Sequence, residues 1–387
     1  MYPRKIFLAV SVRCVLFLFS CGPKPMAPKA ELDTPGHHVK NGMKLLKSGK
    51  IDNALSEFER ARELDPEYSP AFAGIGLANG HKGSFKKGLD AMKKAEKYAR
   101  GNEQEFLFNT CYMRLYIMGK EKIDRDWLEL VEKRFKKAHN IYPDLPEAYY
   151  YMGVAYKMSY KFHKAAKMFA GVLELGNGFM EEANIEYETV QKIERAMPGS
   201  INGKKIALLK KITRGDAAAL FIEEIRVDEL FKNRTPKEFD TSFKSPEEEF
   251  ITGEYVKIPP ATDISDHVLK VDIEAVIEVG IKGLQPFPDH TFKPYKNITR
   301  AEYAMMMEDI LIKITGVDQL ATRFIGSVSP FPDLRNDLPY FNAVMICTTR
   351  GIMVADLSSG EFNAMGTISG ADALLGIRQL KIQLGKF

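Results

Sequence analysis

Two short stretches in the C-terminal half of the chain repeat a hydroxyl, an arginine and an acid at one spacing. An acid three residues after a Thr or Ser is the spacing of a capping box, in which both side chains satisfy backbone N–H groups at a helix start. Such a start also has free N–H groups and a positive dipole end, and an arginine there adds a guanidinium fork. Together these groups can hold a carboxylate or another anion. The cap pairs are Thr213 with Asp216 and Thr299 with Glu302, and the arginines are Arg214 and Arg300.

A third helix start of this kind lacks the arginine. Ser369 and Asp372 keep the cap spacing. Between them, Gly370 takes the place of the arginine. At most two of the three starts can therefore bring a guanidinium to an anion. One alternative stays open, in which both arginines only close the helix caps with acidic neighbours.

No spacing typical of a catalytic or metal-binding motif occurs in the chain. There is no HExxH, GxSxG, Walker or CxxC pattern, and these patterns mark metalloproteases, serine hydrolases, nucleotide-binding proteins and thiol redox proteins. The histidines are scattered except for the pair His37 and His38. The sequence therefore predicts a protein that is not an enzyme and that holds no cofactor and no metal.

Length and composition are those of a folded globular protein. The chain has 387 residues, of which 45% are hydrophobic and 27% charged, which excludes collagen-like and wholly disordered chains. This length predicts two or three domains, each able to bury a core without disulfides or metals. The formal net charge is only +4, and Arg4, Lys5 and Arg13 lie in a segment that we expect to be removed. Bulk charge therefore gives no reason to expect nucleic acid binding.

The N-terminus has the layout of an export signal. A short basic start, Met1–Lys5, precedes about 14 mostly apolar residues, Ile6–Phe19, which are fewer than the about 20 that cross a bilayer as a helix. This pattern predicts a signal peptide over residues 1–20. The stretch Leu18–Gly22 resembles the bacterial lipobox, in which an aliphatic residue and a small residue precede a lipidated cysteine.

The lipobox resemblance implies that Cys21 becomes the first residue and carries diacylglycerol and a fatty acyl chain such as palmitate. Two or three acyl chains on one cysteine give stable membrane residence. The resemblance implies a lipid-anchored protein of the bacterial cell envelope, and Gly22 favours the outer membrane in a diderm. The alternative is an ordinary secretion signal that contains a cysteine. Residues 21–34, rich in proline at their start, are predicted to form an extended tether.

From Pro35 onward, small and large apolar residues recur with a period of about 34 residues. Small residues at fixed places let the two helices of a unit approach, and large ones fill the remaining space. The spacing resembles the tetratricopeptide repeat, which implies an α-solenoid of about four repeats over residues 35–197, including a capping helix from Glu182 to Met197. Residues 103–111 interrupt the period and predict a lengthened helix. The positions that carry the resemblance in the first unit are Gly42, Leu45, Gly49, Ile51, Ala54, Phe58, Ala61 and Pro66.

In tetratricopeptide arrays the first helix of each repeat lines the concave face, and here the resemblance implies an apolar groove with a few basic residues. Such a groove suits an extended or helical segment of a partner protein. The alternative is that several of these side chains pack between neighbouring helices. His38 departs from the large apolar residue usual in the family. The groove residues predicted in this way are Val39, Met43, Leu77, Tyr116, Tyr150 and Val154.

After the repeats a different motif begins. Residues 262–304 run through a helical pattern, the loop FPDHTFKP and the entry ITRAEYA, and this order closely resembles the S-layer homology motif. A poorer copy follows at residues 330–373, and a partial copy with a shortened front half lies at residues 203–220. The resemblance implies a pseudo-threefold helical domain over residues 198–387, with a polar insertion at residues 233–261.

S-layer homology domains bind anionic cell-wall glycans, or peptidoglycan-linked polymer, in grooves between motifs. The entry arginine, the loop glycine and the loop acid are the residues that the family uses. The resemblance therefore implies that Arg214 and Arg300 bind glycan, with Gly283 and Asp289 contributed by the loop.

Taken together, these features predict an all-α, non-enzymatic envelope lipoprotein, with a tetratricopeptide α-solenoid followed by an S-layer homology domain. We expect it to link a membrane to the cell-wall polymer and to recruit another envelope protein through the groove. The alternative is an envelope assembly or secretion adaptor whose S-layer homology domain binds protein rather than wall glycan.

Overall fold

A computed structural model of the chain describes residues 25–231 and 260–385. All regular secondary structure in these residues is helical, and β-type pairing there is limited to isolated bridges. The predicted all-α class is confirmed. The predicted signal peptide (1–20), the lipidation site Cys21 and residues 233–259 of the predicted insertion lie outside the described residues.

Contacts divide the chain into two compact units, Met1–Met152 and Gly153–Phe387. The sequence places its domain boundary later, between residues 197 and 198. The difference arises because the last helix of the repeat region, Met180–Ala196, packs on the C-terminal helix Gly370–Gln383. Each unit is described by itself.

The first unit consists of successive helical hairpins that fit tetratricopeptide-like repeats. The first helix pairs with the second, the third with the fourth and the fifth with the sixth. The fifth helix is the longest of the unit, so the lengthened helix predicted at residues 103–111 is confirmed. The helices are α1 (Pro35–Lys47), α2 (Ile51–Leu64), α3 (Ser69–His81), α4 (Phe85–Tyr98), α5 (Gly101–Gly119), α6 (Trp127–Ile141) and α7 (Pro146–Met158), which continues into the second unit.

In each of the first two hairpins, a glycine in the first helix makes room for a large side chain of the second helix. A Cβ added at Gly42 would lie 2.5 Å from the Phe58 ring, and one added at Gly76 would lie 2.8 Å from Met92 Cε. Phe58 and Met92 are fully buried. Because the same spacing separates both pairs, the sequence period and the interior packing have one cause, the close approach of two helices at a glycine.

An ion network around His38 ties the first hairpin to the residues that precede it. His38 Nε2 lies 2.8 Å from Asp33 Oδ1, and His38 Nδ1 lies 2.7 Å from Glu57 Oε2. Arg60 Nε also donates to Asp33 at 3.1 Å. Burial lowers the pKa of His38, but hydrogen bonds to Glu57 and Asp33 outweigh it, so that the pKa is raised overall. This network accounts for a histidine where the repeat family has a large apolar residue.

We expect the stability that His38 contributes to be lost at alkaline pH. Because folding raises its pKa, the contribution is full below the ordinary value of about 6.5 and falls as pH rises through the folded-state pKa. The wild type should exceed His38→Gln in melting temperature by more at about pH 6 than at about pH 8.5. Calorimetry of both proteins at both pH values measures this, and an equal gap would contradict it.

The second unit continues the hairpins and ends in three helix–loop–helix copies. The first copy begins with helix α10 (Ile201–Ala207), the second with α13 (Lys270–Val279) and the third with α15 (Phe341–Thr349). The eleventh helix is extended by a π-helical turn, Leu220–Ile225. The helices are α8 (Phe162–Leu175), α9 (Met180–Ala196), α10 (Ile201–Ala207), α11 (Arg214–Ala219), α12 (Val227–Phe231), α13 (Lys270–Val279), α14 (Arg300–Thr315), α15 (Phe341–Thr349) and α16 (Gly370–Gln383).

The three copies close into a ring. Helix α11 packs on α13 of the next copy, α14 packs on α15, and α16 packs back on α10. At the centre, Ile212 donates its N–H to Ile368 O and its carbonyl accepts from Ile298 N, both at 3.1 Å. All three isoleucines are buried. The predicted pseudo-threefold arrangement is confirmed by this cyclic packing.

Gly370 is required by the short front half of the first copy. Its N–H donates to Leu209 O at 2.9 Å. A Cβ added at Gly370 would overlap the carbonyl oxygen of Ile206 and lie 2.5 Å from the carbonyl carbon. Backbone of the first copy therefore occupies the space that an arginine side chain would need at this helix start.

We expect Gly370→Ala to lower the free energy of unfolding by about 1–3 kcal/mol through overpacking. The matched control is Gly36→Ala, also in the first turn of a helix, where the added Cβ would meet its nearest atom at 3.6 Å. Urea denaturation of both variants measures the difference. Equal stability of the two variants would contradict this prediction, because it would show that α10 can move away from the added Cβ without a loss of stability.

Candidate functional site

The capping boxes that the sequence predicts are present at both arginine-bearing helix starts. The Thr213 hydroxyl accepts from Asp216 N at 3.2 Å, and the Asp216 carboxylate accepts from Thr213 N at 2.8 Å. Thr299 and Glu302 make the same reciprocal bonds at 3.1 and 2.8 Å. The helix starts that carry Arg214 and Arg300 are thus fixed as the spacing predicted.

The Arg214 side chain connects the first copy to the loop of the second copy through hydrogen bonds. Its Nε donates to Phe292 O at 2.7 Å, its Nη2 donates to Gln285 O at 3.0 Å, and its Nη1 donates to Gly283 O. The guanidinium lies 4.7 Å from the ring centroids of Phe287 and Phe292. Arg214 is 5% exposed, so the structure brings Arg214 and Gly283 together inside the domain.

Arg300 makes the corresponding bonds to the third copy but stays half-buried. Its Nε donates to Phe362 O at 2.8 Å and its Nη2 donates to Val354 O at 2.6 Å. A guanidinium has five N–H donors, so these two bonds use only part of the donor capacity of Arg300. Burial lowers the pKa of Arg300, while the carboxylates of Asp372 and Asp333 oppose that shift.

The loops themselves are held by acids whose role the sequence did not reveal. Asp263 accepts from the N–H groups of Phe292 and Lys293 at 2.7 and 2.8 Å. Asp333 does the same for Phe362 and the residue after it, at 2.9 and 2.7 Å. Each acid precedes its aromatic residue by 29 positions, and this shared spacing is the signal that could have found them.

Asp289 serves the turn of its own loop. Its carboxylate accepts from Thr291 N at 3.0 Å and from Thr291 Oγ1 at 2.6 Å, and Lys293 Nζ lies 3.6 Å away. The hydrogen bonds from Thr291 lower the pKa of Asp289. Asp289, which was predicted to bind glycan, is exposed, but its carboxylate already accepts hydrogen bonds from Thr291.

A cleft of about 340 Å³ opens beside Arg300. Three guanidiniums line it, from α9, from the start of α14 and from α16. The carboxylate of Asp372 also lines it, and that group is paired with Lys192 Nζ at 2.9 Å. The remaining walls are largely apolar. The lining residues are Arg195, Arg300, Gly351, Ile352, Met353, Val354, Ile368, Asp372, Leu375, Arg378, Gln379 and Ile382.

The residues predicted to line the groove of the repeats differ in exposure. Leu77 is fully buried, and Val39 and Tyr116 are each 9% exposed. Met43 and Tyr150 are half-buried. Val154 is also half-buried and belongs to the second unit. Of the predicted groove residues in the first unit, Met43 and Tyr150 are therefore the most exposed.

The described residues show neither a group of metal ligands nor a helix that could span a membrane. Within residues 25–231 and 260–385, no three His, Cys, Asp or Glu side chains cluster so as to hold a metal ion. Among the helices of those residues, none combines the length and apolarity needed to cross a bilayer.

Comparisons with known proteins add little to this geometry. No family model and no curated protein matches the chain. The solved structure of pilF from Pseudomonas aeruginosa is similar to 43% of this chain and 93% of its own, at 14% identity and a TM-score of 0.23. A similarity at this level supports no statement about function.

We expect Arg214→Lys to lower the free energy of unfolding by about 2 kcal/mol or more, because lysine cannot serve three carbonyls in a plane and leaves buried acceptors unpaired. The control is Arg335→Lys, where the arginine is exposed and paired with Asp337, and where little change is expected. Chemical denaturation measures both. An Arg214→Lys protein with the same free energy of unfolding as the wild type would contradict this structural role of Arg214.

Proposed function

We propose that this protein is a non-enzymatic, lipid-anchored scaffold of a bacterial envelope. Its C-terminal unit binds an anionic cell-wall polymer, and its helical repeats bind a partner protein. The observation that carries the proposal is the cleft beside Arg300, whose lining also includes Arg195, Arg378 and the carboxylate of Asp372, which is paired with Lys192. Guanidinium groups favour carboxylate and phosphate ligands.

The wall-binding part is supported by the position of Arg300. This arginine belongs to the ITRAE entry that resembles the S-layer homology motif, and it lies at the junction of two copies. Arg214, in contrast, uses its donors inside the domain. We therefore propose Arg300 as the glycan-binding arginine, with Arg214 and Gly283 supporting the fold.

The partner-binding part is supported by the helical hairpins. Stacked helical repeats present extended concave surfaces that bind protein segments. Half-buried Met43 and Tyr150 offer apolar contacts on the first helices of their hairpins. We propose that the ligand of this surface is a segment of another envelope protein.

A second candidate function is that of an envelope assembly or secretion adaptor whose C-terminal unit binds protein. Exposed apolar side chains in the third copy favour it, because Val354, Leu357 and Met365 are 65%, 101% and 71% exposed. Apolar surface of this kind suits a protein contact better than a polymer contact.

Lipid anchoring through Cys21 is part of the proposal, with the outer membrane as the site in a diderm. The lipobox resemblance supports it. In cells, Cys21→Ser should move the protein from the membrane fraction to the soluble fraction, as measured by immunoblotting after fractionation. Retention of the variant in the membrane fraction would contradict lipid anchoring.

The wall-binding proposal is tested by co-sedimentation with purified sacculi. We expect the full chain carrying Cys21→Ser to pellet with sacculi and to release at high salt. Adding Arg300→Gln should weaken binding about tenfold or more, whereas Arg335→Gln should not, with circular dichroism confirming that both fold. If the protein pellets no more than an unrelated protein does, the result would contradict wall binding and favour the adaptor function.

A further inference from the structure

Helix α4 of the first unit has a strongly basic face. Five of its residues are exposed lysines, and at about 3.6 residues per turn they fall within about one third of the helix circumference. The opposite face is buried through Gly88, Ala91, Met92 and Ala95, so the five ammonium groups lie on the solvent side of the hairpin. The lysines are Lys86, Lys87, Lys93, Lys94 and Lys97.

Few carboxylates oppose this face. Asp90 lies among the lysines and pairs with one of them, with 3.5 Å between Lys93 Nζ and Asp90 Oδ1. Glu96 is engaged by α6 instead, where Arg134 donates to both of its carboxylate oxygens at 2.8 and 2.9 Å. Lys137 Nζ lies 3.7 Å from the same carboxylate. Glu96 therefore does not offset the charge of the lysines.

The other four lysines of α4 are not neutralised. Among the described residues, no ion pair includes any of them. Lys94 Nζ lies 5.7 Å from the centroid of the Phe72 ring, and Lys97 Nζ lies 5.0 Å from that of the Tyr98 ring. Because these rings are uncharged, the face presents five positive groups against the single carboxylate of Asp90.

The N-terminal chain enters the first unit close to the C-terminal end of α4. Met26 N donates to Glu63 O, in the last turn of α2, at 2.8 Å. Arg100 Nη2 donates to Glu67 Oε2 at 2.8 Å, and these two residues lie just beyond the ends of α4 and α2. The ends of the two helices are therefore neighbours, and Met26 lies beside them.

The predicted lipidation site is only five residues before Met26. A fully extended chain spans at most about 3.6 Å per residue, so Cys21 lies no more than about 18 Å from Met26. A lipid on Cys21 would therefore hold the ends of α2 and α4 near the membrane surface.

We propose that the basic face of α4 binds anionic lipid headgroups of the membrane that holds the anchor. This inference rests on the proposed lipid anchoring through Cys21 and adds a second membrane contact to it. A lipid chain and a polybasic surface reinforce each other in membrane binding, and each lysine near an anionic surface adds to the attraction. In α4, which is described throughout, no large apolar side chain is exposed. The contact is therefore with headgroups and does not enter the acyl region.

A membrane suits this face better than a second protein or the wall polymer does. The lysines are spread along a helix of 14 residues, which is about 21 Å long. A lysine ammonium is a point charge and lacks the planar fork with which arginine selects a single carboxylate or phosphate. Several point charges on one open face match a surface that carries many headgroups.

Vesicle sedimentation of the full chain carrying Cys21→Ser tests the proposal without the contribution of the lipid. The vesicles are phosphatidylcholine alone and phosphatidylcholine with about one third phosphatidylglycerol. We expect binding to the anionic vesicles only, and release at about 0.5 M salt, because salt screens charges at a surface.

Two triple variants show whether α4 makes the contact. Three substitutions in α4 should weaken binding to the anionic vesicles about tenfold or more. The matched control removes the same charge from three exposed lysines at α8 and should weaken binding by about twofold at most, with circular dichroism confirming that both variants fold. The α4 variant carries Lys86→Gln, Lys94→Gln and Lys97→Gln, and the control carries Lys161→Gln, Lys164→Gln and Lys167→Gln.

Three results would overturn the inference. They are no binding to the anionic vesicles, equal binding to both kinds of vesicle, and an equal loss of binding in the two triple variants. A loss of sacculus binding in the α4 variant, without a loss of vesicle binding, would assign the face to the wall polymer and would also overturn it.

Failure of the lipid anchor is distinguishable from failure of this contact. Membranes from cells that express the Cys21→Ser protein are washed at about 0.5 M salt, which releases a contact made by charge alone. Retention of the protein after this wash would contradict the anchor and leave the vesicle result intact. Release by the wash, together with no binding to anionic vesicles, would keep the anchor and remove the contact through α4.

Discussion

The ring of the C-terminal unit depends on arginine side chains that satisfy backbone carbonyls of the following copy. Loops of this kind carry carbonyl groups with no helix or strand to pair them, and such groups are costly to bury alone. Arg214 meets three of them, and Arg300 meets two. At the third junction no loop needs a donor, since backbone of the first copy packs directly on Gly370. The presence and absence of arginine thus follow the presence and absence of a loop.

Local features of this fold could be predicted from the sequence, and contacts between distant residues could not. The capping boxes at Thr213 and Thr299 depend on four consecutive residues, so their spacing was sufficient. The burial of Arg214 depends on carbonyls about 70 positions away, which no local pattern contains. For the same reason, Arg195 gave no signal, because it meets the cleft only through the packing of α9 on α16.

Arg214 and Arg300 have the same place in the sequence motif but different roles in the structure. Arg214 is enclosed between aromatic rings, whereas Arg300 combines its carbonyl bonds with a position at the cleft. The helix that ends the repeats contributes to the same cleft. A ligand bound there would therefore contact both α9 and the ring, which belong to the same unit.

Hydrogen exchange of the full chain, with and without purified wall polymer, tests the central claim most directly. Binding at the cleft predicts slower exchange in residues 351–354, in α16 around Arg378 and in the last turn of α9. Unchanged exchange in these segments, with protection instead confined to the loop at residues 283–292, would contradict the account and return the binding role to the Arg214 junction.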